Sequence, residues 1–297
     1  MRQIILGVLL FFVGQTAIAQ IESMYSMYQV NPLVISPAYA GVISNQAKGE
    51  LVAINRQQWI GVQGSPRTAI FSGNFLLKAK IGVSGVFATD QAGPLRITNL
   101  SNDYSYSVKL NENWNMNGGL RLSMSSVYID YAGLTAIDPN DPYIQINKST
   151  GLKPNTGWGI HIVNRVGSFI SVSQPRVLTY DFGNLSGAFK DVSYLYIQAG
   201  TAFSASKGIR LIPSIMVRTA TSVPISWDAN LVLNLSDRID LGVVYRHKIS
   251  YGARVGIPFS KKVYVTYTGE FPVAILNPIG VQTHELALRL SLFEKLK

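Results

Sequence analysis

The stretch from Thr283 to Phe293 alternates without a break: Leu286, Leu288, Leu290 and Leu292 fall on one face, and Glu285, Ala287, Arg289 and Ser291 on the other. Strand side chains repeat every two residues, so four leucines on one side demand an apolar medium there. The charges opposite demand water or ionic partners. A soluble β-sandwich and a membrane barrel share this alternation, so the rest of the chain has to separate them. Mean hydropathy is +0.18, yet beyond the N-terminus no apolar run approaches the roughly 20 residues of a membrane helix. An exported chain that is apolar on average, without a helical span, must spread its apolar residues in alternation. That is the arrangement of an antiparallel β-barrel in an outer membrane.

Export is read from the N-terminus. Arg2 precedes an apolar run from Ile4 to Val13, and Ala17-Ile18-Ala19 forms an A-x-A cleavage site before Gln20. With no cysteine in the chain, there is no lipoprotein anchor, disulfide or thiolate ligand to consider. The expected layout is a signal peptide over residues 1–19, an N-terminal plug or docking segment over 20–48, and a barrel over 49–297. From Glu50 to Phe293 the sequence contains about fourteen strand-like runs, an even number, as closure of an antiparallel outer-membrane barrel requires. Short polar links such as Asn111-Glu112-Asn113, Ser236-Asp237-Arg238 and Ser260-Lys261-Lys262 suit tight hairpins. Longer connections at Asp130–Asn155, Arg176–Ser193 and Phe271–Gln282 are expected on the extracellular side. The 15 Tyr, 12 Phe and 4 Trp suffice to furnish aromatic girdles at both interfaces.

Several strands carry charges on the face opposite their apolar one. Ile209, Leu211, Ile215 and Val217 oppose Arg210 and Arg218; Trp227, Leu231 and Leu233 oppose Asp228; Ile239, Leu241, Val243 and Tyr245 oppose Asp240 and Arg246. A charge facing lipid at mid-depth costs about 2–4 kcal/mol, so these residues are expected to face inward. Arg121, Arg210, Arg218, Arg246, Arg254 and Arg289 against Asp228, Asp240, Glu270 and Glu285 then make a lumenal charge lattice, able to fill a barrel of this size.

Catalytic and metal chemistry finds little support. His161, His247 and His284 are far apart, with no metal-ligand spacing. Gly82-Val83-Ser84-Gly85 lies within a strand rather than at a nucleophile elbow. Asp138 and Asp141 read as turn residues, since the calcium-loop glycine and terminal glutamate are missing. No cofactor, metal or catalytic residue is expected. The net charge of +10 is scattered over an exported chain, with no basic helix, so nucleic acid is not an expected partner.

The segment Tyr25-Ser26-Met27-Tyr28-Gln29-Val30-Asn31-Pro32-Leu33-Val34-Ile35-Ser36-Pro37-Ala38-Tyr39-Ala40-Gly41 fits neither helix nor strand periodicity. It resembles the opening motif of the PorP/SprF family of type IX secretion membrane proteins. Arg56-Gln57-Gln58-Trp59-Ile60-Gly61-Val62-Gln63-Gly64-Ser65-Pro66, the glycine-rich Ile81–Gly85 and the closing His284-Glu285-Leu286-Ala287-Leu288 are similar to later stretches of that family. Ser36, where asparagine is common, Thr283, where serine is usual, and the Glu294-Lys295-Leu296-Lys297 end depart from its pattern. The resemblance implies a non-enzymatic outer-membrane barrel of the type IX secretion and gliding apparatus. Its expected surroundings and partners are outer-membrane lipid, secretion components, and a large cell-surface adhesin that is exported or retained. Asn31, Pro32, Pro37, Tyr39 and Gly41 are the candidate docking or plug residues, unless they merely lead into the first strand. Arg56 and Trp59 are expected to brace the barrel rim. The same strand pattern would also serve a porin-like channel for small solutes.

Overall fold

The computed structural model describes residues 19–20, 26–43, 47–131, 147–180, 189–221, 223–273 and 281–294. Most of the expected signal peptide, up to residue 18, together with Tyr25, Asp138 and Asp141, lies outside them.

The wall is a closed antiparallel barrel of fourteen strands. In chain order these are β1 Ala47–Gln57, β2 Arg67–Lys78, β3 Ile81–Ala92, β4 Leu95–Lys109 and β5 Trp114–Ile129. Next come β6 Lys153–Asn164, β7 Phe169–Gln174, and β8, which runs as Leu195–Gly200 and Phe203–Ser206. The remainder are β9 Ile209–Ala220, β10 Val223–Leu235, β11 Ile239–Arg246, β12 Ser250–Pro258, β13 Val263–Pro272 and β14 Thr283–Glu294. Each strand pairs with its sequence neighbours, and β14 closes the circle on β1, with Leu288 opposite Ala53 and Arg289 opposite Val52. Two short additions, Lys148–Ser149 beside β5 and Ala19–Gln20 parallel to Phe189–Lys190, lie off this circuit.

Burial fixes which face points where. On β14, Leu286 and Leu288 are 52% and 47% exposed, whereas Glu285 and Ala287 are each 1% exposed. The leucines therefore face outward and the glutamate inward, as a bilayer requires. Leu100, Leu120, Leu122 and Met124 extend the apolar exterior. Trp227, Tyr245, Tyr251, Tyr267 and Phe271 cluster toward one end of the wall, and Tyr104, Tyr106 and Phe259 toward the other.

Strand order sorts the connections. The links after β5, β7 and β13 are the long ones, and all emerge at the end where odd-numbered strands finish. At the opposite end no link exceeds four residues, and β1 begins and β14 ends there. One of these short turns places Ser236 and Asp237 both at positive φ, 53° and 55°, the geometry that matches the twist of a two-strand hairpin. The long-loop end is assigned to the cell exterior and the short-turn end to the periplasm.

Candidate functional site

Residues 26–43 enter the barrel instead of adding to its wall. They form three single 3-10 turns, Met27–Gln29, Pro32–Val34 and Pro37–Tyr39. Pro32 and Pro37 each open a turn, where a fixed φ helps and the missing N–H costs nothing. The Ser36 hydroxyl accepts from the Ala38 amide at 3.3 Å and caps the third turn. Met27, Tyr28, Leu33 and Ala38 are buried. At one limit the Ser26 amide donates to Glu285 Oε1 at 3.0 Å, near the long-loop end of β14. At the other the Gly41 amide donates to Asn74 Oδ1 at 2.7 Å, toward the short-turn end of β2. The segment thus runs down the lumen from the long-loop end to the short-turn end, where β1 begins.

Against β1 to β6 the segment lies flush with the wall. A Cβ added to Gly82 would sit 2.2 Å from the Ala40 carbonyl oxygen, one on Gly119 2.4 Å from the Pro37 carbonyl carbon, and one on Gly159 2.5 Å from Ser36 Oγ. Any side chain at these positions would have to displace the segment. Ser105 Oγ donates to the Ala40 carbonyl at 2.6 Å, and Ser173 Oγ to the Ile35 carbonyl at 2.8 Å. Asn74 closes the lower end, its Nδ2 donating to the carbonyls of Tyr39 at 3.3 Å and Val42 at 3.0 Å. Met27, Val30 and Leu33 pack on Val52, Ile54, Ile70 and Val86, making the inner face of β1 to β3 apolar.

Each candidate of this segment has a defined place. Asn31 Nδ2 donates to Ser72 Oγ at 3.0 Å. Tyr39 donates its hydroxyl to Gln198 Oε1 at 3.2 Å and packs on His161, with ring centroids 4.3 Å apart. Burial pushes the phenols of Tyr28 and Tyr39 up, so both stay protonated. The Tyr28 hydroxyl accepts from Asn230 Nδ2 at 2.6 Å. Gly41 turns with φ +74°, a region that favours glycine.

The expected charge lattice resolves into separate groups. Toward the long-loop end Asp228 lies between Arg218 Nη2 at 2.9 Å and Arg246 Nε at 3.6 Å. Beside it Arg56 pairs with Glu285 and, at 3.6 Å, with Glu270. Both sets reach the segment, because Arg56 and Arg246 donate to Ser26 Oγ at 3.1 Å and 3.3 Å. Across the lumen Arg121 grips Asp103 in a fork, Nε to Oδ1 at 2.6 Å and Nη2 to Oδ2 at 2.8 Å, and also donates to the Leu33 carbonyl. Arg289 donates to the Val30 carbonyl at 2.7 Å and lies 3.9 Å from Glu50. Arg210 instead pairs with Asp237 at 2.5 Å on an exposed turn. Asp240 accepts from Asn234 Nδ2 at 2.6 Å and from the Tyr264 hydroxyl, and Arg254 has no carboxylate within ion-pair distance among the described residues.

Arg56 is next to last in β1, at the long-loop end, but faces inward, 4% exposed, and belongs to the inner network. Trp59 does stay in the loop after β1, 44% exposed. Sequence reasoning also missed Asp103, Glu50, Asn74 and the wall glycines. Asp103 alone carried a usable signal, since it sits on the buried, serine-lined face of β4. The histidines remain apart: His161 lies against Tyr39 and Phe169, His247 stacks on Trp227 at 4.9 Å, and His284 pairs with the Tyr267 hydroxyl. Among the described residues no group of His, Cys, Asp or Glu is placed to hold a metal ion.

Known proteins give one sequence match and many similar folds. The family model described as "Type IX secretion system membrane protein PorP/SprF" matches residues 17–290. No curated protein matches in sequence. The Ralstonia pickettii toluene transporter TbuX is similar in fold, with TM-score 0.53 at 7% identity over 86% of this chain and 92% of that one. The Acinetobacter baumannii outer membrane protein Omp33 aligns over 84% of this chain and 100% of its own, with 8% identity and TM-score 0.46.

Proposed function

Because the chain belongs to the PorP/SprF family of type IX secretion system membrane proteins, we propose that it is a non-catalytic outer-membrane anchor or docking partner for export or surface retention of large adhesins. In this role it serves the secretion and gliding apparatus and works beside other type IX components. The observation that carries the reading is the filled lumen. Residues 26–43 run through it and are held on several sides by Asn74, Arg121, Arg246 and Arg289. A barrel of fourteen strands has little interior left once side chains and such a segment occupy it, so a folded adhesin does not pass through this wall. Contact falls instead to the ends, with the long connections outside the cell as the surface for an exported protein.

The segment acts as a plug, and Asn31, Pro32, Pro37, Tyr39 and Gly41 seat it. A porin-like channel would need that plug to leave. The test is a pull-down of the tagged barrel from native membranes in mild detergent, read by mass spectrometry. Co-recovery of type IX components or a very large surface adhesin is expected. Recovery of the barrel alone, with adhesin display intact in cells lacking it, would overturn the reading.

A further inference from the structure

Between the lumenal segment and β9 to β13 lies a cavity of about 480 Å³ that the plugging role does not use. Its mouth is at the short-turn end, where Arg210 and Asp237 have side chains 49% and 78% exposed. Its floor is buried and aromatic, formed by Tyr28 and Tyr39 of the segment with His161. A filled, docking-only lumen has no need of a chamber with a polar entrance and an aromatic end.

The charges in the chamber are unequally committed. Arg210 and Asp237 satisfy each other at the mouth. The Asp240 carboxylate is taken by two neutral donors, Asn234 Nδ2 and the Tyr264 hydroxyl. Arg254 lines the same chamber and makes no ion pair within 4.0 Å among the described residues; Asp240 acts on it only from farther off. Its guanidinium is held in place by shape: it lies across Gly242, its cross-strand partner on β11, where an added Cβ would come 3.2 Å from Arg254 Nε. Arg289, its guanidinium carbon 5.7 Å from the centre of the Tyr264 ring, lines the chamber too. A guanidinium offers a planar fork of donors that matches a carboxylate. The aromatic floor is suited to an apolar or aromatic body.

We propose that this chamber binds a carboxylate joined to an aromatic or aliphatic body and presented from the periplasm, with Arg254 as the carboxylate-binding residue. The ligand chemistry is shared by a free amphiphilic acid and by the C-terminal residue of a peptide. The volume admits either. Because its floor is the segment itself, an occupant touches Tyr28 and Tyr39 and becomes part of the plug's packing. The inference is independent of the secretion role, and its failure would leave that role standing.

The test uses the full-length protein in nonionic detergent and saturation-transfer NMR titrations. Probes are N-acetylphenylalanine, its amide, Gly-Gly-Gly-Phe with a free carboxylate, and the same peptide amidated. The acids are expected to bind at least tenfold more tightly than the amides. Arg254→Gln should abolish that preference and Arg254→Lys should keep part of it, each variant being checked for folding by heat-modifiable gel mobility. Gly242→Val, which displaces the guanidinium without removing it, should weaken the acids and leave the amides unchanged. Tighter binding of the peptide acid than of N-acetylphenylalanine identifies a chain end as the source, and equal or weaker binding a small acid. Equal affinity for acids and amides, an intact preference in folded Arg254→Gln, or no binding of any probe would overturn the proposal.

Discussion

The two sides of the lumen hold the same segment by different means. On the side of β1 to β6 the contact is backbone on backbone. Gly82, Gly119 and Gly159 remove the side chains that would keep the strands away, and Val52, Ile54 and Ile70 give an apolar bed. On the side of β9 to β13 a smaller apolar cluster joins Tyr28 and Ile35 to Met216, and beyond it single polar side chains reach across, as Gln29 does to Ser214 Oγ at 2.6 Å and Asn230 to Tyr28. The space they leave toward the periplasm is the cavity of Arg254. Close packing gives a unique seat, whereas spanning side chains permit a chamber. The first side fixes the plug, and the second retains room for a ligand.

Four substitutions separate these contributions. Asp228→Ala should cost most, about 3–5 kcal/mol, because it leaves Arg218 and Arg246 buried without their shared counter-charge; urea unfolding in detergent reads the loss. Gly119→Val comes next, at about 3 kcal/mol from overpacking. Its signature is selective: strand β5 persists while protease gains access to residues 26–43, and a valine that left the segment protected would break the flush-packing account. Asn74→Ala should cost about 2 kcal/mol by orphaning the Gly41 amide and the Val42 carbonyl. Hydrogen exchange should rise first at Gly41. Arg210→Gln should fall within about 1 kcal/mol, since its pair with Asp237 is exposed. A penalty as large as that of Asp228→Ala would mean that the mouth of the chamber carries structural load.

Much of the wall was legible because lipid enforces alternation on it. β14 could be assigned inside and out from its leucines alone, and its Glu285 and Arg289 do face the lumen. The same rule does not hold at β1. There Val52, Ile54 and Arg56 point inward while Ala53 and Asn55 point outward, because the segment supplies an apolar surface inside the barrel. Apolarity then no longer marks the lipid side, and the inward turn of Arg56 into the ion network could not be read from the pattern. The pairing of charges was not legible either. Which arginine meets which carboxylate depends on strand register, so Arg121 with Asp103 emerges only when β4 and β5 are aligned. The wall glycines carry no periodic signal, since their reason is a segment distant in sequence.

The central claim is that residues 26–43 close the barrel, and single-channel recording in planar bilayers addresses it most directly. The account predicts that the folded wild-type protein inserts and shows no stepwise ion conductance, while Gly119→Val produces intermittent openings. Steady open-pore conductance from the wild-type protein would contradict it.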